Sequence, residues 1–121
     1  MDETIGTRLV EAIVARDESA IAACFAPHVE FRALTPAGLR ERSGAAETAA
    51  LLHAWFADST ELDVAEAQSE PIGDRLHVTY RLEGVEGGEP YVIEQQLYCD
   101  VGDAGIERAN LLCSGSEPRR F

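Results

Sequence analysis

Three histidines are the side chains whose pKa best suits proton transfer near neutral pH. They are His28, His53 and His77. No two of them have the spacing of a metal-binding pair on a helix or a strand. His53 is the best acid–base candidate because it precedes Trp55 by two residues on a predicted helix, but that spacing turns the two side chains about 200° apart. We therefore expect cap or surface roles for the histidines, and neither a metal site nor a cofactor.

The three cysteines, Cys24, Cys99 and Cys113, are odd in number and lack the C-x-x-C spacing of a redox pair. Each lies in an apolar stretch without a basic neighbour in the sequence. Since a reactive thiol needs a neighbour that lowers its pKa, the pattern favours small, buried side chains. The chain has no lysine, which excludes Schiff-base chemistry.

Four carboxylates are candidates for a catalytic base, and each falls on the polar side of a predicted strand. They are Glu30, Glu94, Asp100 and Glu107. This placement favours solvated groups over catalytic ones, with Glu94 the strongest candidate because its strand is apolar on both sides. By the same alternation, Arg81 and Glu83 are predicted to form an exposed ion pair.

Length and charge narrow the function classes further. The chain has 121 residues and a net charge of −12, and all ten basic residues are arginine. We expect one domain over residues 1–121, with an ordered core over 3–115 and a mobile tail over 116–121 whose two arginines could bind the acidic body. The negative charge argues against nucleic acid and anionic membranes as partners. No apolar run approaches about 20 residues, and the acidic start is unlike a secretion signal, so a cytoplasmic protein is expected.

Helical periodicity predicts three helices in the first half of the chain. The first covers residues 4–16. The second is capped by Asp17 or Ser19 and is stopped by Pro27, because proline cannot continue a helix interior. The third begins at Ser43 as its N-cap, and its apolar face contains paired aromatic residues.

Period-two alternation predicts the strands. Residues 28–34 form the first strand, and residues 35–42 are interpreted as a loop. Four meandering strands follow the third helix, separated by glycine-containing turns. This order predicts an α+β domain with its helices covering one face of a sheet.

Three segments carry a resemblance to a known superfamily. They are FAPHVEFRA at 25–33, RSGAAETAALLHAWFADS at 42–59, and the hairpin IEQQLYCDVGDAGIERANLLCSG at 93–115. With these segments the chain resembles the nuclear transport factor two-like superfamily, which includes SnoaL-like and ketosteroid isomerase-like domains. The resemblance implies a cone-shaped α+β barrel with three N-terminal helices on a curved, mostly antiparallel sheet. It also implies an internal pocket for a small apolar molecule, and a homodimer across the outer sheet face.

The resemblance implies a set of pocket-lining residues but no standard catalytic set. The implied lining is Phe31, Ala33, Trp55, Phe56, Tyr80, Gln95, Asn110, Leu112 and Ser114. The carboxylate base of ketosteroid isomerases falls near Ala33, and the acid position near Gln95. The arginine and aspartates of limonene-epoxide hydrolases find their nearest match in Arg81 and Glu83, and the aspartate of SnoaL-like cyclases has no clear counterpart. We therefore expect ligand binding, or isomerase, cyclase or hydrolase chemistry with a non-standard site.

A second hypothesis makes the chain a non-enzymatic, dimeric interaction module that uses the outer sheet face. One predicted strand gives that face a mixed polar character through Arg75, His77, Thr79 and Arg81. A closed cavity lined by aromatic residues would favour the pocket hypothesis. A filled interior with an apolar patch outside would favour the interaction module.

Overall fold

The computed structural model describes residues 2 and 4–119, which form three helices and seven strands. The helices are α1 (Thr4–Val14), α2 (Glu18–Ala23) and α3 (Ala45–Phe56). The strands are β1 (Phe25–Thr35), β2 (Gly38–Ser43), β3 (Ser59–Ile72), β4 (Arg75–Glu86), β5 (Glu89–Gly102), β6 (Gly105–Cys113) and β7 (Glu117–Pro118). Within these residues, every helix is too short or too polar to traverse a lipid bilayer.

The helix boundaries confirm one predicted cap and correct two other predictions. The carboxylate of Asp17 accepts the backbone N–H of Ala20 at 3.1 Å and so caps α2. Pro27 does not stop this helix, because α2 already ends at Ala23 and Pro27 lies within β1. Ser43 does not cap α3 either. The N-cap is Gly44, while the Ser43 hydroxyl donates to Glu30 because the two residues are partners in the β1–β2 ladder.

The seven strands form one sheet in the order β2-β1-β6-β5-β4-β3, with β7 beside β5. All pairs are antiparallel except β1 and β6. The predicted loop over residues 35–42 is wrong, since Gly38–Ser43 is strand β2 and pairs with β1 through a tight hairpin. Charged residues dominate β2, so it lacks the apolar alternation that marks the other strands. Pairing with β1, rather than burial of its own side chains, makes it a strand.

The two faces of the sheet differ in burial. α1 contacts β3 and β4, and α3 contacts β1, so we call the face under these helices the inner face and the opposite one the outer face. On β4, buried and exposed residues alternate as predicted, with Leu76, Val78, Tyr80 and Leu82 facing inward. These side chains belong to one apolar core shared by the helices and the inner face.

The C-terminal segment is attached to the sheet as far as residue 119. Glu117 and Pro118 form β7 against Val92 and Tyr91 of β5. The guanidinium of Arg119 lies 2.7 Å from the carboxylate of Glu83. Part of the predicted tail thus forms a strand, and one of its arginines, Arg119, contacts the acidic body. Residues 120 and 121 lie outside the described residues.

Candidate functional site

Six of the nine implied lining residues lie on the inner side of the domain. Five are buried to 3% exposure or less, and Trp55 is partly buried against the same core. The buried five are Phe31, Ala33, Phe56, Tyr80 and Gln95. Their inward placement agrees with the sequence analysis, while their role in ligand binding stays a prediction.

The other three implied lining residues, Asn110, Leu112 and Ser114, lie on the outer face, so their inward placement is wrong. On β6, Leu111 is the partner of Leu97 and Cys113 is the partner of Gln95, and direct partners share a face. Leu112 is accordingly 48% exposed. Inward positions on β6 are held by Ala109, Leu111 and Cys113. Polarity could have identified them, since all three are apolar whereas the other set contains Asn110 and Ser114.

A chain of hydrogen bonds joins three strands on the inner face. The Tyr80 hydroxyl donates to Oε1 of Gln95 at 2.6 Å, and Nε2 of Gln95 donates to Sγ of Cys113 at 3.3 Å. The backbone N–H of Gly115 donates to the same sulfur at 3.3 Å. Burial raises the pKa of Tyr80 well above its usual value, with smaller contributions from Cys113 and Cys99. Tyr80 is therefore a neutral hydrogen-bond donor at physiological pH.

The buried part of the inner face contains no charged side chain. Every buried position of β1, β4, β5 and β6 is apolar, glycine, tyrosine or glutamine, and the inward charged residues Glu86 and Glu89 lie exposed at the ends of β4 and β5. All four carboxylates considered as bases are at least partly exposed, as the sequence predicts. Glu94 is bound on the outer face by Arg81, with Nη2 and Oε2 2.6 Å apart. The predicted pair of Arg81 with Glu83 is wrong, because Arg81 has Glu94 as its direct cross-strand partner and Glu83 binds Arg119.

Strand β2 brings to the inner side a cation that sequence analysis missed. Arg40 is the direct partner of Ala33, so its side chain starts from the inner face. It is partly buried, and its guanidinium makes no hydrogen bond or ion pair with any residue that the structure describes. The turn sequence Thr35-Pro36-Ala37-Gly38, followed by arginines at alternate positions, could have predicted this hairpin and the placement of Arg40.

Two of the histidines contact neighbouring side chains, and the cysteines are buried or partly buried. Nδ1 of His53 lies 3.3 Å from a carboxylate oxygen of Glu18 and links α3 to α2. His77 stacks on Tyr98 of the outer face with ring centroids 4.5 Å apart. Cys24 and Cys99 are buried as predicted, and Cys113 is partly buried. In the part of the chain that is described, no three His, Cys, Asp or Glu side chains are grouped as metal ligands.

Two open grooves lie on the outer face. The first, groove one, has a volume of about 840 Å³ and is lined by three consecutive residues from each of β3, β4 and β5, and by residues 112–114 at the end of β6. The middle residue of each strand points inward, so the backbone forms the floor and flanking side chains form the walls. The second groove, of about 530 Å³, is lined by residues of β1, β2 and β6, together with Glu47 of α3 and Arg75 of β4. Neither groove includes Trp55 or Phe56, the aromatic pair expected to line a pocket.

The outer face also exposes a contiguous apolar patch. Leu39, Leu34 and Leu112 are neighbours on β2, β1 and β6, and we call them the leucine patch. Their exposed fractions are 47%, 53% and 48%. Three leucines in a row on a sheet face are more than the scattered apolar residues of an ordinary surface.

Comparison with known proteins identifies one family. Residues 7–106 match the family model described as the SnoaL-like domain. A comparison with curated proteins finds no match.

Solved structures share this fold at low sequence identity. A protein with a ketosteroid isomerase-like fold from Catenulispora acidiphila, in complex with trimethylamine, has a TM-score of 0.75 and 15% identity, over 91% of this chain and 85% of that one. A candidate polyketide cyclase from Xanthomonas campestris has a TM-score of 0.69 and 24% identity, over 93% and 92%. An LEH-like epoxide hydrolase from M. tuberculosis has a TM-score of 0.71 and 13% identity, over 93% and 81%.

Proposed function

The chain belongs to the SnoaL-like domain family, and from this premise we propose that it binds a small, mostly apolar molecule between its helices and the inner face of the sheet. The observation that carries the proposal is the buried bond between Tyr80 and Gln95, a polar pair within an apolar core. Gln95 uses one acceptor site and one donor in the chain of bonds. Its amide has further capacity for a ligand.

The row of inner-face residues that contains this pair is accessible at its ends. Tyr80 is the partner of Ala67 on β3, which is exposed, and Gln95 is the partner of Cys113 on β6, which is partly exposed. A ligand that enters from the β6 side of this row would pass Cys113 and then reach the amide of Gln95 on β5. Phe31, Phe56 and Trp55 would supply the apolar surroundings typical of small-molecule sites.

The uncharged character of the buried inner-face residues favours ligand binding over catalysis by proton transfer. General acid–base catalysis needs a titratable group at the site, and the buried inward positions of the central strands contain no carboxylate or histidine. The Tyr80 hydroxyl remains protonated because burial raises its pKa. Reactions known for relatives of this fold are therefore a less favoured function for this chain.

Arg40 indicates which polar group the ligand carries. It is the partly buried cation beside Ala33, in a protein with a net charge of −12. A guanidinium without a partner suits a carboxylate, which it can bind through two parallel hydrogen bonds. The proposed ligand is thus an apolar molecule with an acidic group at the β2 end.

Fluorescence of Trp55, the sole tryptophan of the chain, provides the test. Decanoate and decanol are titrated against the protein, and we expect a saturable change with decanoate and weaker binding of decanol. Gln95→Leu should raise the Kd of both probes about fivefold, because the loss of one hydrogen bond costs about 1 kcal/mol. Arg40→Gln should weaken decanoate alone.

Gln96→Leu is the matched control, since Gln96 is adjacent in sequence but lies on the outer face. It should bind both probes like the unmodified protein. An absence of saturable binding would exclude the inner site. An equal loss of affinity in the Gln95 and Gln96 variants would exclude it as well.

A second candidate function is self-association through the outer face. It is favoured by the exposed leucine patch and by the packing of Phe31, Phe56 and Tyr80 within the core, the two features that the sequence analysis connects with an interaction module. Burial of Leu34, Leu39 and Leu112 against a second copy would remove exposed apolar surface from water at roughly 25 cal/mol per Å². Sedimentation velocity tests it. We expect a dimer that Leu34→Glu dissociates, whereas a monomer at concentrations up to 100-fold above those used in binding assays would exclude it.

A further inference from the structure

The hydroxyl of Thr48 is a buried polar group on α3. Thr48 is fully buried, and its Oγ1 makes no hydrogen bond to any residue that the structure describes. A threonine within a helix can donate to the carbonyl four residues earlier. That carbonyl belongs to Gly44 and accepts the backbone N–H of Thr48 at 3.1 Å, while the hydroxyl makes no bond to it. An unpaired buried hydroxyl lowers the stability of a fold unless a bound molecule completes its hydrogen bonds.

Helical geometry directs Thr48 toward the sheet rather than toward α2. His53 marks the side of α3 that meets α2, since it contacts Glu18. At about 100° per residue, Thr48 points about 140° away from His53 and only about 20° away from Trp55. Trp55 packs against the core, and α3 contacts β1 and β2. Thr48 therefore lies on the face of α3 that borders the ligand in the proposed function.

The partly buried guanidinium of Arg40 lies near the same end of α3, and it too has no partner among the described residues. Gly44, at the start of α3, donates its N–H to the carbonyl of Val29 at 2.8 Å, which fixes this end of the helix beside β1. Thr48 is about 6 Å further along the helix axis. Arg40 is about 13 Å from Gly44 along β2, and its long side chain shortens that distance. The hydroxyl and the guanidinium can thus reach one small ligand.

We propose that Thr48 binds a second oxygen of the ligand, close to the acidic group that Arg40 holds, so that the ligand is a hydroxy acid with an apolar chain. This inference rests on the proposed ligand site and names the class of molecule that fills it. A ligand hydroxyl both donates and accepts, as does the hydroxyl of Thr48, so the two groups suit each other. A ligand without this oxygen would leave Thr48 buried and unpaired, and a site of that kind discriminates against such a ligand.

Fluorescence titration with decanoate and 3-hydroxydecanoate tests the inference. The two probes differ in a single hydroxyl, close to the carboxylate. We expect the unmodified protein to bind 3-hydroxydecanoate about fivefold more tightly than decanoate, the effect of one hydrogen bond. Thr48→Val, which replaces the hydroxyl with a methyl group, should bind both probes with equal affinity. Thr48→Ser, which keeps the hydroxyl, should retain the preference.

Thr7→Val is the matched control, because Thr7 is also the fourth residue of its helix but is exposed. It should keep the preference for 3-hydroxydecanoate. Urea unfolding without a probe is a second readout, which a purely structural role of Thr48 would change. The midpoint of Thr48→Val should be no lower than that of Thr7→Val, because the lost hydroxyl has no partner among the described residues. A lower midpoint, or a failure of Thr48→Val to fold, would overturn the inference.

The remaining outcomes separate this inference from the proposed function. If neither probe binds saturably to the unmodified protein, the inner site and the inference are both overturned. If both probes bind the unmodified protein with equal affinity, the hydroxy-acid class alone is overturned. The same holds if Thr48→Val retains the preference that Thr7→Val shows, since Thr48 would then not contact the second oxygen.

Discussion

Tyr80 and Gln95 are direct partners on β4 and β5, and the Tyr80 hydroxyl donates to Oε1 of Gln95 across 2.6 Å inside the apolar core. Loss of either partner leaves the other buried without its bond. We expect Tyr80→Phe and Gln95→Leu each to lower the free energy of unfolding by about 1–3 kcal/mol. The double variant should lose less than the sum, because no polar group is then left without a partner. Urea unfolding of the four proteins measures the coupling, and additive losses would contradict it.

Leu111 and Leu112 are adjacent in sequence but lie on opposite faces of β6. Leu111 is 3% exposed and Leu112 is 48% exposed. Leu111→Ala should cost about 2–5 kcal/mol through loss of buried surface and creation of a cavity. Leu112→Ala should change the stability of the monomer by less than about 0.5 kcal/mol. Thermal unfolding at low protein concentration compares the two, and equal losses would contradict the assigned faces.

Gly84 leaves room for the ring of Tyr91 on the neighbouring strand. A Cβ at position 84 would lie 2.5 Å from the Tyr91 hydroxyl oxygen. That hydroxyl is 2.6 Å from Oγ of Ser59 and is buried, so the ring is not free to move. Gly84→Ala should therefore destabilise the fold by about 1–3 kcal/mol.

Replacement of the tyrosine in the same chain provides the control. Tyr91→Leu removes the atoms that the new methyl group would meet, so Gly84→Ala should cost less in a Tyr91→Leu background. Urea midpoints of the single and double variants decide this. An equal cost of Gly84→Ala in both backgrounds would show that crowding by Tyr91 is not the cause.

Burial of Cys99 predicts a loss of stability at alkaline pH. Burial raises the pKa of this thiol from 9.0 to about 12, with a smaller contribution from Asp100. The folded state thus holds the proton more tightly than the unfolded state, and the stabilisation is complete below pH 9 and lost as pH rises toward 12. The loss is at most about 1.4 kcal/mol per pH unit. Urea unfolding at pH 8 and pH 10.5 measures it, and Cys99→Ala should reduce the difference.

Sequence patterns were most reliable where polarity alternates cleanly. On β4, apolar and polar residues alternate from Leu76 to Leu82, and the burial of each follows. The Asp17 cap and the three helices were likewise predictable, since caps and helical periodicity are local features. The loop predicted over 35–42 failed because β2 is an edge strand of charged residues. Its main partner is β1, and few of its own side chains are buried.

By itself, the sequence determined the order of the elements apart from β2, the family resemblance and the excess of negative charge. Only the tertiary structure decided which residues meet across strands. Glu30 and Arg108 are neighbours although they are distant in the chain. Arg40 starts from the inner face because it is the direct partner of Ala33. The physical reason is that cross-strand register depends on long-range pairing and bulges, and a shift of one residue moves every side chain to the other face.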